Sequence, residues 1–463
     1  MNGVAVLQLA KNYTDTVLES SAKIYGVQWD KGETPTLTRT HDAVGMVANA
    51  GVGSSIVVND FDNAQIFREI GEVVDTLGNV FVRIPKFYIR KINTAVLKAW
   101  QVSKYQYPGF YLPWCFWDFT NGLELPHIDI GKHKASLSGD NKLQSISGVA
   151  PLSNKHIVDF RTYAQANNAG GLLGYQQLDI HVVDLLRTLM FIEFSTLDIQ
   201  TIMKGYTEGY YGTAHVALVA DTGVNSIVIT NAQGALYEVG QTVSIHLAGA
   251  TNSNLPNTYG RTITNIEADT PVAGQTTITF DGDPIDVALN DYIFNTGFIN
   301  GFSSQIAASS GSIVSNSTGK FSCMYRGIES PFGDMWQFVD GANITSARQA
   351  WVTENAEDYA SNVFAHPYKQ LGYTNATSDN YVKEMGFDPN YPFAEFPVTV
   401  GGGADATKYY ADYYYQASST NYIARFGGNW NNGVTAGLSY WYLNITSSFT
   451  FVVIGGRLLK KAL

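Results

Sequence analysis

The side chains that most often carry out chemistry are scattered along this sequence and match no catalytic or zinc-binding pattern. The eight histidines lie far apart, and none belongs to an HExxH motif or to a Cys/His zinc spacing. No GxSxG nucleophile turn and no phosphate-binding Walker loop occurs. Residues 281–283 (DGD) match part of a calcium loop without its remaining ligands, and we interpret them as a β-turn. The sequence therefore predicts no enzyme, no bound metal and no cofactor.

Two smaller groups of reactive side chains leave alternatives open. His127, Asp129 and His133 could be metal ligands, although their spacing is more typical of a strand with a polar outer face. Cys115 and Cys323 are the two cysteines, so one disulfide is arithmetically allowed. We favour two buried thiols. Asn444-Ile445-Thr446 matches the acceptor sequence for N-glycosylation, but without a secretory signal the match does not indicate a glycosylated residue.

Length and composition exclude several classes of protein. The chain has 463 residues, with 29 Lys and Arg against 40 Asp and Glu and a net charge of −11. Hydrophobic residues make up 45% of it, which is too many for a disordered chain. No basic stripe points to a nucleic acid. The 44 glycines follow no fixed period, which excludes collagen. Many short strands and turns are the expected architecture, and the negative charge indicates solubility rather than a partner.

No segment predicts export by a classical route or insertion into a membrane. Residues 1–16 lack the basic and apolar regions of a signal peptide. The most apolar stretch, 185–194, contains Arg187 and Glu193 and is too short to span a bilayer. We therefore expect synthesis in a cytoplasm. Chains of this kind that act outside a cell include phage virion proteins, which are released by lysis.

Four segments differ in pattern. Residues 1–75 predict a β-rich module for assembly or attachment, which a second copy could complete. Residues 76–205 contain a strand pattern at 79–91, interrupted by Pro85, then a dense aromatic cluster, and then helices near 159–167 and 178–195. The apolar stripe of the second helix is wide, which predicts a largely buried helix. Residues 206–299 predict an inserted small barrel or sandwich with five strands: 215–220, 226–230, 242–247, 262–266 and 276–280. Residues 300–463 are rich in Gly, Asn and aromatic residues, with a loop at Gly401-Gly402-Gly403.

The segment 417–459 has the most unusual composition. It contains no Lys, Glu, Gln, Met or Asp, and Arg425 and Arg457 are its only charged residues. A buried pair of strands would explain the missing charges, but the many Asn, Ser and Thr are poor core residues. Tyr, Ser, Gly and Asn are the residues that binding surfaces of antibodies favour. The composition therefore indicates a binding surface.

Particular motifs in this segment resemble the variable region of diversity-generating retroelement target proteins. They are 425–433 (RFGGNWNNG), 436–438 (AGL), 440–441 (YW) and 454–457 (IGGR). That family includes receptor-binding proteins of phage tail fibres and carries a C-type lectin fold of the formylglycine-generating-enzyme kind. Upstream, 325–340 (YRGIESPFGDMWQFVD) and 130–136 (IGKHKAS) resemble two further motifs of this fold. The resemblance covers about 80–205 and 300–463.

The resemblance implies an α+β fold. We expect a C-type lectin-like domain, β-rich with two helices, formed by 76–205 and 300–463, with an N-terminal β module and the inserted all-β domain. Template-directed diversification of Asn codons yields 15 residue types that exclude Lys, Glu, Gln, Met and Trp, which fits the missing residues. The implied scaffold of the variable region at 417–457 is Gly427, Gly428, Trp430, Gly433, Gly437, Trp441, Gly455 and Arg457. Each buried indole N–H should find a hydrogen-bond partner.

The implied ligand-binding positions face outward from that scaffold. They are Tyr422, Ala424, Thr435, Ser439, Tyr442, Ile445, Phe449, Phe451 and Val453. The last three alternate, so that a strand would place them on one face, either as an exposed contact patch or as core. The tyrosines of 409–415 either flank this surface or lie between subunits.

The implied function is host attachment without catalysis, in the tail tip of a virion. Partners would be a host cell-surface receptor, protein or polysaccharide, and other tail proteins, and the expected assembly is a homotrimer. Alternatives are a diversified bacterial adhesin, which would need an export signal, and a structural tail or baseplate protein. A formylglycine-generating enzyme is disfavoured because its activity requires a cysteine pair near the C-terminus, and no Cys follows Cys323. The sequence leaves the role of 206–299 open.

Overall fold

The fold is rich in β-strands and has few helices. The computed structural model describes residues 22–32, 34–248, 258–315, 317–401 and 408–463. Its α-helices are Ile157–Gln165, Ile180–Phe194 and Asn231–Gly234. The first two confirm the predicted helical pair. None of the helices within the described ranges could cross a membrane. The predictions for residues 1–16, for the first part of the 1–75 module and for Gly402 and Gly403 lie outside the described residues.

A four-stranded antiparallel sheet joins residues on both sides of position 75. Its strands, in spatial order, are Thr38–His41, Ile24–Asp30, Leu97–Ser103 and Tyr88–Asn93. Tyr25, Val27 and Trp29 are buried in the same hydrophobic cluster as the helix Ile180–Phe194. The described part of 1–75 therefore shares its core with the following segment, because its own apolar surface is too small to form one.

A five-stranded sheet gathers strands from distant parts of the chain. Its order is Tyr175–Gln177, Leu458–Lys461, His127–Gly131, Val80–Pro85 and Gly71–Val74. The strand pattern at 79–91 thus becomes two strands in two different sheets, with the break at Pro85. Leu458–Lys461 pairs with a strand on each side, so the last strand of the chain lies inside the sheet.

The largest sheet has nine strands and holds most of 336–455. Eight follow the order Lys369–Thr374, Gln349–Val352, Trp336–Ile344, Tyr422–Gly427, Gly437–Ile445, Tyr413–Gln416, Asn380–Met385 and Pro397–Val400. The ninth, Ile454–Gly455, pairs in parallel with the start of Trp336–Ile344. The two longer strands of the variable-type segment, Tyr422–Gly427 and Gly437–Ile445, therefore lie at the centre of the sheet.

Outside 206–299, the remaining described strands form three small sheets. One has four strands: Ile328–Glu329, Cys323–Tyr325, Ser310–Ser312 and Gly51–Val52. Two are pairs: Ser136–Leu137 with Leu143–Gln144, and Trp117–Asp118 with Leu123–Glu124.

Residues 206–299 contribute a β-structure with its own hydrophobic cluster. Five strands lie in the order Ser226–Thr230, Gln275–Phe280, Arg261–Ala268, Thr242–His246 and Tyr292–Asn295, beside the pair Asp221–Val224 and Ile285–Val287. Among the described residues, every member of this cluster lies between positions 210 and 293. Four of the five predicted strands are confirmed. The fifth, 215–220, is wrong, because only an isolated bridge from Val216 to Tyr292 forms there.

The chain enters and leaves this inserted structure at one place. The backbone N–H of Asn295 donates to the carbonyl of Tyr210 over 2.9 Å, and the N–H of Tyr210 donates to the side-chain oxygen of Asn295 over 2.7 Å. Just outside, Asp334 accepts from the N–H of Phe298 and donates its own N–H to the carbonyl of Tyr206. We call this set of contacts the stem.

The helix Ile180–Phe194 is buried along its whole length, as its wide apolar stripe predicts. It begins at Asp179, whose side chain accepts from the N–H of Val182. All fifteen residues are buried, including the polar Asp184, Arg187 and Glu193. Buried charges require partners. Glu193 finds them in the hydroxyl of Tyr325 and the guanidinium of Arg326.

Five buried charges tie this helix to the N-terminal sheet, and we call them the charge cluster. Lys91 donates to Asp184 over 2.5 Å, and Lys98 lies 2.7 Å from Glu395. Arg187 contacts both carboxylates, at 3.1 Å from Asp184 and 2.8 Å from Glu395. Three cations therefore face two carboxylates, and all five side chains are almost fully buried.

Candidate ligand-binding surface

The three segments that carry the family resemblance meet at the buried side chain of Arg457. Its guanidinium donates to the backbone carbonyls of Gly131 and Lys132 in the first segment, and to those of Glu329 and Ser330 in the second. Its Nε donates to the amide oxygen of Gln337 over 3.1 Å. Burial lowers the pKa of Arg457 to about 10. One arginine of the third segment thus fixes the positions of the other two.

Further contacts join the same three segments. The ammonium of Lys134 pairs with the carboxylate of Asp334, and both side chains are buried. The N–H of Ala135 donates to the carbonyl of Gly456, and that of Trp336 to the carbonyl of Val453, each over 3.0 Å. The motifs therefore form one continuous hydrogen-bonded unit.

The side chains that the sequence suggested as metal ligands or reactive thiols are bonded to other protein groups or buried. His133 hydrogen bonds to Glu329 over 2.9 Å, and Asp129 accepts two hydrogen bonds from Arg83. Across the described ranges, no three His, Cys, Asp or Glu side chains are grouped to hold a metal. Cys115 and Cys323 are free and buried, which confirms the favoured interpretation over a disulfide. Burial raises the pKa of Cys323 to about 12 and that of Cys115 well above its ordinary value, so neither is a ready thiolate.

The prediction that nine positions of the variable-type segment face outward is wrong for five of them. The buried ones are Tyr422, Ala424, Ser439, Ile445 and Val453. Every residue of the strand Tyr422–Gly427 is buried, and so are the first five residues of Gly437–Ile445, whereas Tyr442 and Asn444 near its end are partly exposed. Thr435, Tyr442 and Phe451 are partly exposed, and Phe449 is 38% exposed.

The alternation of Phe449, Phe451 and Val453 does not form a strand. The N–H of Phe449 donates to the carbonyl of Thr446, and that of Ile454 to the carbonyl of Phe451, which are turn contacts. The rings of Phe449 and Phe451 are 5.9 Å apart, while Val453 points into the core. Each of the two alternatives is therefore right for one residue: Phe449 is exposed, and Val453 is packed in the core.

At the predicted scaffold glycines, either the backbone conformation or the lack of space disfavours a larger residue. Gly427, Gly428 and Gly433 have φ angles of 95°, 84° and 57°, which favour glycine. At Gly437 a Cβ would lie 1.9 Å from Oδ1 of Asp412, and at Gly455 one would lie 3.0 Å from the carbonyl of Leu152.

The two scaffold tryptophans differ from expectation in one respect. Trp430 and Trp441 are buried, as predicted. The prediction that each indole N–H has a partner is wrong, because neither finds an acceptor among the described residues. Their apolar contacts hold them: Trp441 packs against Phe396 and Phe426, and Trp430 against Tyr211.

Arg425, which has no carboxylate partner among the described residues, lies beneath partly exposed tyrosines, and we call its surroundings the Arg425 cluster. The guanidinium carbon of Arg425 lies 4.9 Å from the ring centre of Trp336 and 4.5 Å from that of Tyr442. Nη2 donates to Asn444 over 3.0 Å, whereas Nε has no acceptor in the described part of the chain. Burial lowers the pKa of Arg425 to about 10. The cluster ends at Tyr415, whose ring stacks on Tyr442 with 4.7 Å between centres.

An open groove of about 730 Å³ adjoins this cluster, and we call it the tyrosine groove. Its walls are Arg348, Thr377, Ser378, Asp379, Tyr413, Tyr415, Gln416, Ala417, Ser418 and Ser419. The sequence indicated the tyrosines of 409–415 as flanking residues, and Tyr413 and Tyr415 do line the groove. It missed Arg348 and 377–379. The Asn-, Thr- and Ser-rich stretch 375–380 was the available signal, since it has the same composition as the binding segment.

Comparison of the chain with protein-family models finds no match, and comparison with curated proteins finds none either. The three segments that carry the resemblance meet at Arg457.

Proposed function

We propose that this protein is a non-catalytic receptor-binding protein of a phage tail tip. Its C-type lectin-like scaffold would display a diversifiable surface that attaches the virion to a host cell. The protein would be made in the host cytoplasm, assemble as a homotrimer and join other tail proteins through its N-terminal region.

The convergence of the three resembling segments on Arg457 carries this proposal. Residues 130–136, 325–340 and 425–457 are far apart in the sequence, and each resembles the same family. Four backbone carbonyls from the first two segments accept hydrogen bonds from one side chain of the third. A fold shared with that family requires these segments to meet, so their convergence supports the proposal.

The exposed part of the variable-type segment supports a binding role. Thr435, Tyr442, Phe449 and Phe451 extend from strands and turns that a buried core holds in place. Large aromatic side chains on a rigid support provide contact area at a small cost in conformational entropy. Three or more copies in one tail tip would add avidity to weak single sites.

Removal of the exposed aromatic side chains should weaken cell attachment. We expect Tyr442→Ala and Phe449→Ala each to reduce binding of the labelled protein to susceptible bacteria by about 10-fold or more, as for central contact residues of other interfaces. Flow cytometry over a panel of bacterial strains measures this. Ile56→Ala, at a side chain that is 92% exposed elsewhere, is the control. Equal binding by all three variants and the parent would refute the choice of surface.

We expect codon substitutions to accumulate at the positions of 417–457 whose side chains are exposed. In a propagated population, we expect substitutions within codons 417–457 to concentrate at Thr435, Tyr442 and Phe449 and to spare Trp430 and Trp441. The buried positions lack room for new side chains. Deep sequencing measures the frequencies. Substitutions spread evenly over buried and exposed codons would contradict a diversified surface on this scaffold.

A further inference from the structure

The tyrosine groove combines aromatic faces with polar groups. Tyr413 and Tyr415 are partly exposed, and alternate side chains of their strand point the same way. Tyr381 packs edge-on against Tyr413 at 5.4 Å, and Tyr442 stacks on Tyr415 at an angle of 26°. Both groove tyrosines are therefore held in fixed orientations by neighbouring rings.

A buried amide at the base of the groove has an unused donor. Gln416 is 2% exposed, and its Oε1 accepts hydrogen bonds from the Asn375 amide over 2.9 Å and from the Tyr414 hydroxyl over 2.7 Å. These two donors set the orientation of the amide. Its Nε2 has no acceptor among the described residues, although Gln416 lines the groove. A buried donor without a partner is costly, and a ligand oxygen would satisfy it.

The charged groups on the walls are also available to a ligand. Asp379 is exposed and forms no ion pair with another described residue. Arg348 donates from Nη1 to the carbonyl of Ala376 over 2.7 Å and also hydrogen bonds to the hydroxyl of Tyr414, which leaves further donors of its five guanidinium N–H groups. Hydroxyls of Thr377, Ser378 and Ser418 complete the wall.

We propose that the tyrosine groove binds a cell-surface polysaccharide without calcium. This inference rests on the proposed function and names its ligand class. Tyrosine faces pack on the apolar faces of sugar rings, and the carboxylate, amide and guanidinium groups bind ring hydroxyls. The lining favours a polysaccharide over a protein receptor, because central contact residues of protein interfaces usually pack in desolvated apolar pockets and Ala417 is the one aliphatic residue of this lining.

Chemical treatment of the bound cells separates this inference from the proposed function. Strains that bind the labelled protein are treated with periodate, which cleaves vicinal diols of sugars, or with proteinase K. We expect periodate to reduce binding at least 10-fold and the protease to leave it unchanged. Loss with protease alone, or with neither treatment, overturns the polysaccharide and leaves host attachment standing. If the parent protein binds no bacterium in the panel, the proposed function itself fails.

Groove variants then locate the site, with polysaccharide purified from a bound strain as the probe. We expect Tyr415→Ala to weaken the measured affinity at least 10-fold, while Tyr415→Phe, which keeps the stacked ring, stays within about threefold. Tyr105→Ala, a matched change outside the groove, should leave affinity unchanged, as should EDTA. Unchanged affinity of Tyr415→Ala, or loss of affinity in EDTA, would overturn the inference. If the Ala variant fails to fold, a loss of affinity well beyond threefold in Tyr415→Phe overturns the inference, because that variant keeps the stacked ring.

Discussion

Replacement of Glu395 by glutamine should lower the free energy of unfolding by about 3–5 kcal/mol, the usual cost of breaking a buried ion pair. Glu395 is one of two carboxylates in the charge cluster, where it faces Lys91, Lys98 and Arg187. Without its charge, Asp184 alone would balance three buried cations. Urea unfolding of the parent and variant measures the difference.

A second substitution tests whether charge is the cause. In the double variant Glu395→Gln/Lys98→Met the excess cation is removed together with the carboxylate. We expect it to recover part of the loss, because coupled residues do not contribute additively. A loss below about 1 kcal/mol in the single variant, or no recovery in the double one, would show that the cluster does not depend on charge balance.

The pH dependence gives an independent readout of the same variant. Burial alone would raise the pKa of Glu395, but Lys91, Lys98 and Arg187 outweigh it and lower the pKa to about 2. A depressed carboxyl pKa adds stability that is present above the unfolded pKa and lost as pH falls through the folded one. The gap between parent and Glu395→Gln should therefore be constant above pH 5 and shrink from about pH 4.5 toward pH 2. A gap that does not change with pH would contradict the ionised carboxylate.

Arg457→Met should be the other severely destabilised variant, by about 3 kcal/mol or more. Methionine fills much of the space but donates no hydrogen bond, so the carbonyls of Gly131, Lys132, Glu329 and Ser330 lose a donor. Buried acceptors without donors cost about 1–3 kcal/mol each. Urea unfolding again provides the measurement.

Two further variants keep the Arg457 result interpretable. Arg68→Met, at an exposed arginine, should change stability by less than about 0.5 kcal/mol. Arg457→Lys should be intermediate, because an ammonium keeps the charge but not the planar set of five donors. If Arg457→Met were as stable as Arg68→Met, the three segments would be held together by other contacts, and the convergence on Arg457 would lose its significance.

Local patterns in the sequence were sufficient to predict helices and strands whose residues carry the pattern themselves. The helical pair follows from apolar residues at helical spacing, and four strands of the insert follow from alternation and turn residues. Burial on both faces of Tyr422–Gly427 and of the first half of Gly437–Ile445 could not be predicted in this way. Alternation distinguishes the two faces of a strand, but whether both are covered depends on which distant segments pack against the sheet.

The tyrosine groove shows the same limit for the site. Tyr415 and Ser419 are close in the sequence, but Arg348 and Asp379 reach the groove from other strands and loops. Their types and spacing carry no signal by themselves, because the sheet order that brings them together is set by long-range pairing. The availability of Gln416 likewise depends on Asn375 and Tyr414 having occupied its oxygen.

The stem determines how mechanical load passes through the molecule. Tyr210 and Asn295 are hydrogen bonded to each other where the chain leaves and rejoins the main fold. Tension between a point before 206 and a point after 299 can therefore be carried across the stem, which bridges the two ends of the insert. In the proposed role of host attachment, the inserted sheet would then lie beside the direct path of the load.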